Sequence, residues 1–181
     1  MFYGSFAMRR LTENILVSMR KVVFVVGNYG VGKSSMLHRP ILERDDIFLR
    51  TSERYWVLGT DICGADSLSM YKKQEVMNKI KEAKQEGLLI AGSRYCQQKD
   101  IKELSRDNEV HLVYLKTSYM NNAARIAGRG KHINIDTYNQ KLKEHISLMN
   151  KCRRYCKIYM IDNNRPLQEV KTEFDNIIQD L

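Results

Sequence analysis

Short apolar runs alternate along the chain with longer stretches of helical periodicity, the pattern of strands joined by crossover helices. The apolar runs predict five strands, at residues 22–26, 55–60, 88–91, 110–115 and 158–161. Between and after them the spacing predicts helices at 33–42, 68–86, 99–106, 119–127, 136–151 and 166–180. In the second of these, Leu68, Tyr71, Val76 and Ile80 form one apolar stripe, while Lys72, Lys73 and Lys79 lie off it. Asp66 and Ser67 stand before that helix as caps, and Pro166 opens the last one, where its missing N–H is harmless. The expected fold is α/β, a five-stranded parallel sheet flanked by helices.

No internal repeat, low-complexity tract or linker breaks the pattern, so residues 21–181 read as a single domain. Residues 1–20 precede the first strand as an extension, an arm or the product of a misassigned start at Met19. They are basic but carry no sustained apolar region followed by a cleavage site, so they do not read as a secretory signal. No run of about 18 apolar residues exists to span a membrane. Four cysteines, Cys63, Cys96, Cys152 and Cys156, lack C-x-x-C spacing and fit reduced thiols in a cytoplasm. The net charge is +9, from 30 Lys and Arg against 21 Asp and Glu, which favours a polyanionic partner without requiring one. A homodimer is compatible with the sequence.

The chemistry concentrates directly after the first strand. Gly27, Asn28, Tyr29, Gly30, Val31, Gly32, Lys33 and Ser34 satisfy the Walker A pattern, with Ser35 completing the turn into a helix. The run Val22, Val23, Phe24, Val25 and Val26 before it suits a buried parallel strand. Glycines let backbone N–H groups turn inward around a β-phosphate, Lys33 reaches the β- and γ-phosphates, and Ser34 offers a hydroxyl to Mg²⁺. ATP and Mg²⁺ are therefore the expected cofactors, and the fold class narrows to a P-loop NTPase. An Asn-Lys-x-Asp segment, which a GTPase would need to read its base, is absent from the sequence. The third strand ends in Gly92, Ser93 and Arg94 rather than in the acidic residue of a motor. A small kinase remains.

Three further segments give the chain a resemblance to the thymidylate kinase family and its wider group of nucleotide and nucleoside kinases. Asp61-Ile62-Cys63-Gly64 stands where that family has an acidic residue and Pro-Gly-Gly, and Ser93-Arg94-Tyr95 stands where it has Asp-Arg-Tyr. Arg125 and Arg129, with Lys131 behind them, follow the fourth strand where the family carries the arginines of a short helical lid. The resemblance implies in-line phosphoryl transfer. Asp61 would serve as base and metal-water ligand, Arg94 would clamp a phosphate, and Arg125 and Arg129 would close over the triphosphate. Asp66 shares the loop of Asp61 and is the alternative base, or a helix cap.

Ser93 in place of Asp and Ile62 in place of Pro depart from that family beside the acceptor. The departures resemble a bacteriophage branch of the group, kinases that phosphorylate the hydroxymethyl group of 5-hydroxymethyluracil within DNA. That likeness implies DNA contacts from Arg44, Arg50 and Arg54 and from Lys151, Arg153, Arg154 and Lys157, with Tyr95 or Trp56 stacking on a flipped base. A deoxynucleoside monophosphate kinase and a non-catalytic ATP-binding protein are the alternatives. No membrane partner is expected, and a host cytoplasm would house a viral enzyme.

Overall fold

The computed structural model describes residues 19–59 and 65–181, and among these the chain forms one seven-stranded sheet with helices on both faces. The elements in order are β1 (Arg20–Gly27), α1 (Lys33–Met36), β2 (Ile41–Asp45), β3 (Phe48–Thr51), β4 (Tyr55–Leu58), a 3-10 turn (Ala65–Leu68) and α2 (Lys73–Glu82). They continue with β5 (Gly87–Ala91), α3 (Gln98–Leu104), β6 (Asn108–Lys116), α4 (Tyr119–Ala127), α5 (Ile135–Cys152), β7 (Lys157–Asp162) and α6 (Leu167–Gln179). Strand order across the sheet is β2-β3-β4-β5-β1-β6-β7.

The five expected strands are all present and all parallel: β1 pairs with β5 and β6, β4 with β5, and β6 with β7. β1 is buried on both faces, and its side chains divide by the period of two. Val22, Phe24 and Val26 meet α2, α3 and α5 through Val76, Ile80, Ile101, Leu104 and Met149. Val23 and Val25 meet α1 and α6 through Met36, Val170, Phe174 and Ile178. The parallel arrangement sends every carboxyl end to one edge of the sheet, where α/β folds place their ligands.

Two expectations around Pro40 are corrected. The sheet is mixed and has seven strands, not five, because an antiparallel hairpin, β2 and β3, adds to the outer side of β4. The helix expected over 33–42 is one turn long, ending at Met36 with Leu37 as its C-cap. Pro40 explains both, since it disfavours helical backbone at Arg39 and frees the following residues to extend. β2 is exposed throughout, so its sequence, Ile-Leu-Glu-Arg-Asp, lacks the alternation that marks a half-buried strand. Asp46, at φ 55, makes the tight turn between the two strands. The side chain of Arg39 is buried, with Nη2 2.8 Å from Asp175 and Nε 3.1 Å from Glu53, paired by charge rather than by aligned hydrogen bonds.

The helix expected from residue 68 begins at Lys73, with Lys72 as N-cap, so Asp66 does not cap it. Cys96, Cys152 and Cys156 are buried free thiols. Among the described residues no helix is long and apolar enough to cross a membrane.

Candidate active site

The loop from Gly27 to Gly32 leaves the carboxyl end of β1 and enters α1 with Gly32 as its N-cap, in left-handed backbone at φ 96. Gly30, at φ 76, is the other position where the loop needs a left-handed residue. Space is equally tight: a Cβ on Gly30 would lie 2.8 Å from Ile126, and one on Gly32 would lie 2.9 Å from Leu167. The glycines therefore set both the turn and the close packing of the loop against α4 and α6.

A cavity of about 290 Å³ opens over this loop, lined by Tyr29, Gly30, Gly32, Lys33, Ser34, Ser35, His38, Asp66 and Arg129. Lys33 Nζ donates to Gly27 O at 2.8 Å and to Asn28 O at 2.9 Å, which fixes the ammonium across the loop. Burial lowers its pKa to about 8, partly offset by the negative charge of Asp66. A site that holds a desolvated cation beside backbone donors attracts polyphosphate more strongly than the same groups would in water. Ser34 and Asp66 add a hydroxyl and a carboxylate, a donor set that suits a Mg²⁺ held mainly by phosphate and water oxygens.

The structure thus brings Lys33, Ser34, Ser35, Asp66 and Arg129 together. Asp61 lies outside the described residues, as do Ile62, Cys63 and Gly64. Arg94 does not line the cavity: its Nη2 donates to Tyr71 O at 3.2 Å, and the guanidinium lies over the ring of Tyr95. Arg125 is half-buried and engages backbone, with Nη2 on Asn163 O at 2.8 Å and on Arg165 O at 3.2 Å. Lys131 reaches back to the loop, its Nζ 2.9 Å from the hydroxyl of Tyr29, and this contact lowers the pKa of the tyrosine.

A second cavity, about 590 Å³, lies between the start of α3 and the outer face of α5. Its walls include Ser93, Gln97, Gln98, Gln140, Lys141, Lys143, Glu144, His145 and Lys151. His145 is 6% exposed and stacks obliquely on Tyr114, its Nδ1 without a partner among the described residues. Burial, and then the charges of Lys33 and Lys141, pull its pKa down to about 4, so the imidazole is neutral at pH 7. Sequence reasoning missed this groove and the buried asparagines Asn122 and Asn163; a pair of asparagines directly after β7, at the carboxyl edge, was the one available signal.

Of the residues expected to meet DNA, most lie elsewhere. Arg54 precedes β4, and Arg153, Arg154 and Lys157 lead into β7, so they stand at the amino-terminal edge of the sheet. A six-residue strand puts that edge roughly 15–20 Å from the phosphate loop. Arg54 Nη2 also donates to Leu181 O at 3.0 Å, and Arg50 pairs with Glu43 and lies over Trp56. Tyr95 is fully buried and offers no ring for stacking, and Trp56 is half-buried with Arg50 over its ring and Phe48 beside it.

The fold is shared with a kinase of solved structure. A deoxyadenosine kinase from M. mycoides, with the products dCMP and a flexible dCDP bound, superposes with a TM-score of 0.51 at 12% identity, covering 88% of this chain and 100% of that one. The chain has the α/β fold of that kinase. A gluconokinase from Sinorhizobium meliloti 1021 superposes at 0.49 with 18% identity over 86% of this chain and 90% of that one. A shikimate kinase from Acinetobacter baumannii in complex with shikimate follows at 0.46 with 17% identity, over 93% of this chain and 95% of that one. The sequence matches no protein-family model and no curated protein.

Proposed function

We propose that this chain is an ATP-dependent phosphotransferase that moves the γ-phosphate of ATP to an acceptor oxygen, hydroxyl or phosphate, of a nucleotide-type acceptor free in solution. The observation that carries the reading is the convergence of Lys33, Ser34, Asp66 and Arg129 on one cavity at the carboxyl edge of the sheet. Backbone N–H groups and Lys33 hold the β- and γ-phosphates, and Arg129, exposed in the segment after α4, balances charge on the transferring group. Mg²⁺ on Ser34 and the phosphates would neutralise the charge that develops on their oxygens. Asp66, or Asp61 five residues before it in the sequence, orients the attacking oxygen. Arg94 would act on the acceptor from the loop after β5.

The acceptor sits in the groove between α3 and α5. Its lysines, Lys141, Lys143 and Lys151, favour an anion, and its glutamines and neutral His145 favour an uncharged polar body. This chemistry describes a nucleoside monophosphate or a similar phosphorylated polyol. The hydroxymethyl group of 5-hydroxymethyluracil within DNA is the second reading, favoured by the +9 charge. The position of Arg54, Arg153, Arg154 and Lys157 at the opposite edge supports the free acceptor instead. Incubation with γ-labelled ATP, Mg²⁺ and deoxynucleoside monophosphates or hydroxymethyluracil DNA tests the two readings. Label in a monophosphate supports the first, and label in DNA alone that resists terminal phosphatase supports the second.

A further inference from the structure

Asn122, in α4, and Asn163, directly after β7, are both fully buried beside the phosphate loop. Each gives its amide to a loop carbonyl: Asn122 Nδ2 to Tyr29 O at 2.9 Å, and Asn163 Nδ2 to Val31 O at 2.6 Å. Arg125 Nη1 approaches the same Val31 O at 3.4 Å, while its Nη2 is anchored on Asn163 O. Asn163 Nδ2 also donates to Thr117 Oγ1 at 3.0 Å, and the Thr117 carbonyl accepts from the Tyr138 hydroxyl at 2.6 Å. Loops after β6 and β7 and helices α4 and α5 are thereby tied to the back of the phosphate loop.

A trans peptide unit is planar, so its C=O and N–H point in opposite directions. Holding the Tyr29 carbonyl on α4 turns the N–H of Gly30 away from α4. Holding the Val31 carbonyl on Asn163 turns the N–H of Gly32 away from the β7 side. Gly30 and Gly32 both line the cavity of the phosphate loop. Neither asparagine has a partner for its Oδ1 among the described residues, although buried amides are ordinarily satisfied at both ends. The donors are engaged and the acceptors left over, which suits a role as carbonyl clamps better than a role in filling the core.

We propose that Asn122 and Asn163, assisted by Arg125, are positioning residues that aim the Gly30 and Gly32 N–H groups at a bound polyphosphate. The inference rests on the phosphotransferase reading and deepens it. The test uses the full chain with inorganic tripolyphosphate and ATP, followed by calorimetry and by ¹⁵N amide spectra, in wild type, Asn122→Leu and Asn163→Leu. Leucine keeps the approximate shape and removes the donor. Each variant is expected to weaken both ligands to the same degree, by about tenfold. Asn122→Leu should shift chiefly the Gly30 amide resonance and Asn163→Leu chiefly that of Gly32, a signature that general loosening would not give. The two variants act on separate peptides, so each tests the idea if the other fails to fold. In wild type the Gly30 and Gly32 amides should move most on adding tripolyphosphate, and their failure to move overturns the inference without any variant. Binding in a folded variant equal to wild type also overturns it while the phosphotransferase reading stands. A wild type that binds neither ligand removes that reading and the inference with it.

Discussion

The two cavities at the carboxyl edge are built from different materials. The cavity over the phosphate loop is floored by backbone and serines and crossed by the pinned Lys33, and the loop is locked from behind by buried amides and by glycines with no room for a Cβ, although Tyr29, His38 and Arg129 also line the cavity. The groove between α3 and α5 is walled by long polar side chains, several exposed, with Lys141 paired to Glu144 at 3.1 Å one turn away on the helix surface. Backbone donors need no ordering when phosphate arrives, whereas each lysine or glutamine of the groove loses rotamer freedom on binding. The first cavity is therefore prepared for a fixed chemical group. The second takes its shape from its ligand, and acceptor choice resides there.

The contrast breaks most easily at Lys33. Lys33→Ala should reduce transfer by about 10³-fold. The variant should melt no lower than wild type, because it removes a charge whose pKa burial has already lowered to about 8. Normal turnover in a folded variant would remove the site. Asp66→Asn comes next: kcat should fall by about 10²-fold with ATP affinity unchanged. An unaltered kcat would move the orienting role to Asp61.

The two arginines expected in a lid separate by their surroundings. Arg129→Ala, at an exposed position on the cavity, should lower kcat by roughly 30-fold with no change in melting. Arg125→Ala removes backbone hydrogen bonds to two loops and should destabilise by about 2 kcal/mol, seen as a melting point lower by roughly 5 °C. Equal effects of both variants on rate and melting would erase the distinction.

Proton linkage gives a smaller effect. Free Lys33 loses its proton above about pH 8, while bound polyphosphate favours the charged form. Binding must then take up a proton above that pH, so ATP affinity should be flat below about pH 8 and fall above it, by at most tenfold per unit. Calorimetry at pH 8.5 in buffers of different ionisation enthalpy measures the uptake. The smallest change expected is from Lys143→Ala in the groove, an increase of about threefold in acceptor KM with ATP KM unmoved.

What the sequence reveals follows the same division. The phosphate loop is local: a β-branched strand, a glycine-rich turn and Lys33-Ser34 are contiguous, so their chemistry can be read without a fold. The five parallel strands are legible because burial on both faces makes them continuous apolar runs. The hairpin is not, because β2 is exposed and its pairing with β3 depends on a turn at Asp46 rather than on hydrophobic pattern. Arg125 and Arg129 look alike in sequence, four residues apart, yet the first points into loop carbonyls and the second lines the cavity. Asn122 carries no local signal and Asn163 only the doubled asparagine after β7, since their partners lie 93 and 132 residues away along the chain.

The most direct test of phosphoryl transfer to a free nucleotide-type acceptor is a parallel incubation with γ-labelled ATP and Mg²⁺. The acceptors are deoxynucleoside monophosphates, unmodified DNA and hydroxymethyluracil DNA, with Lys33→Ala as control. The account predicts label in a monophosphate, lost in the Lys33→Ala control. No label in any monophosphate, with label in hydroxymethyluracil DNA or in no acceptor at all, would contradict it.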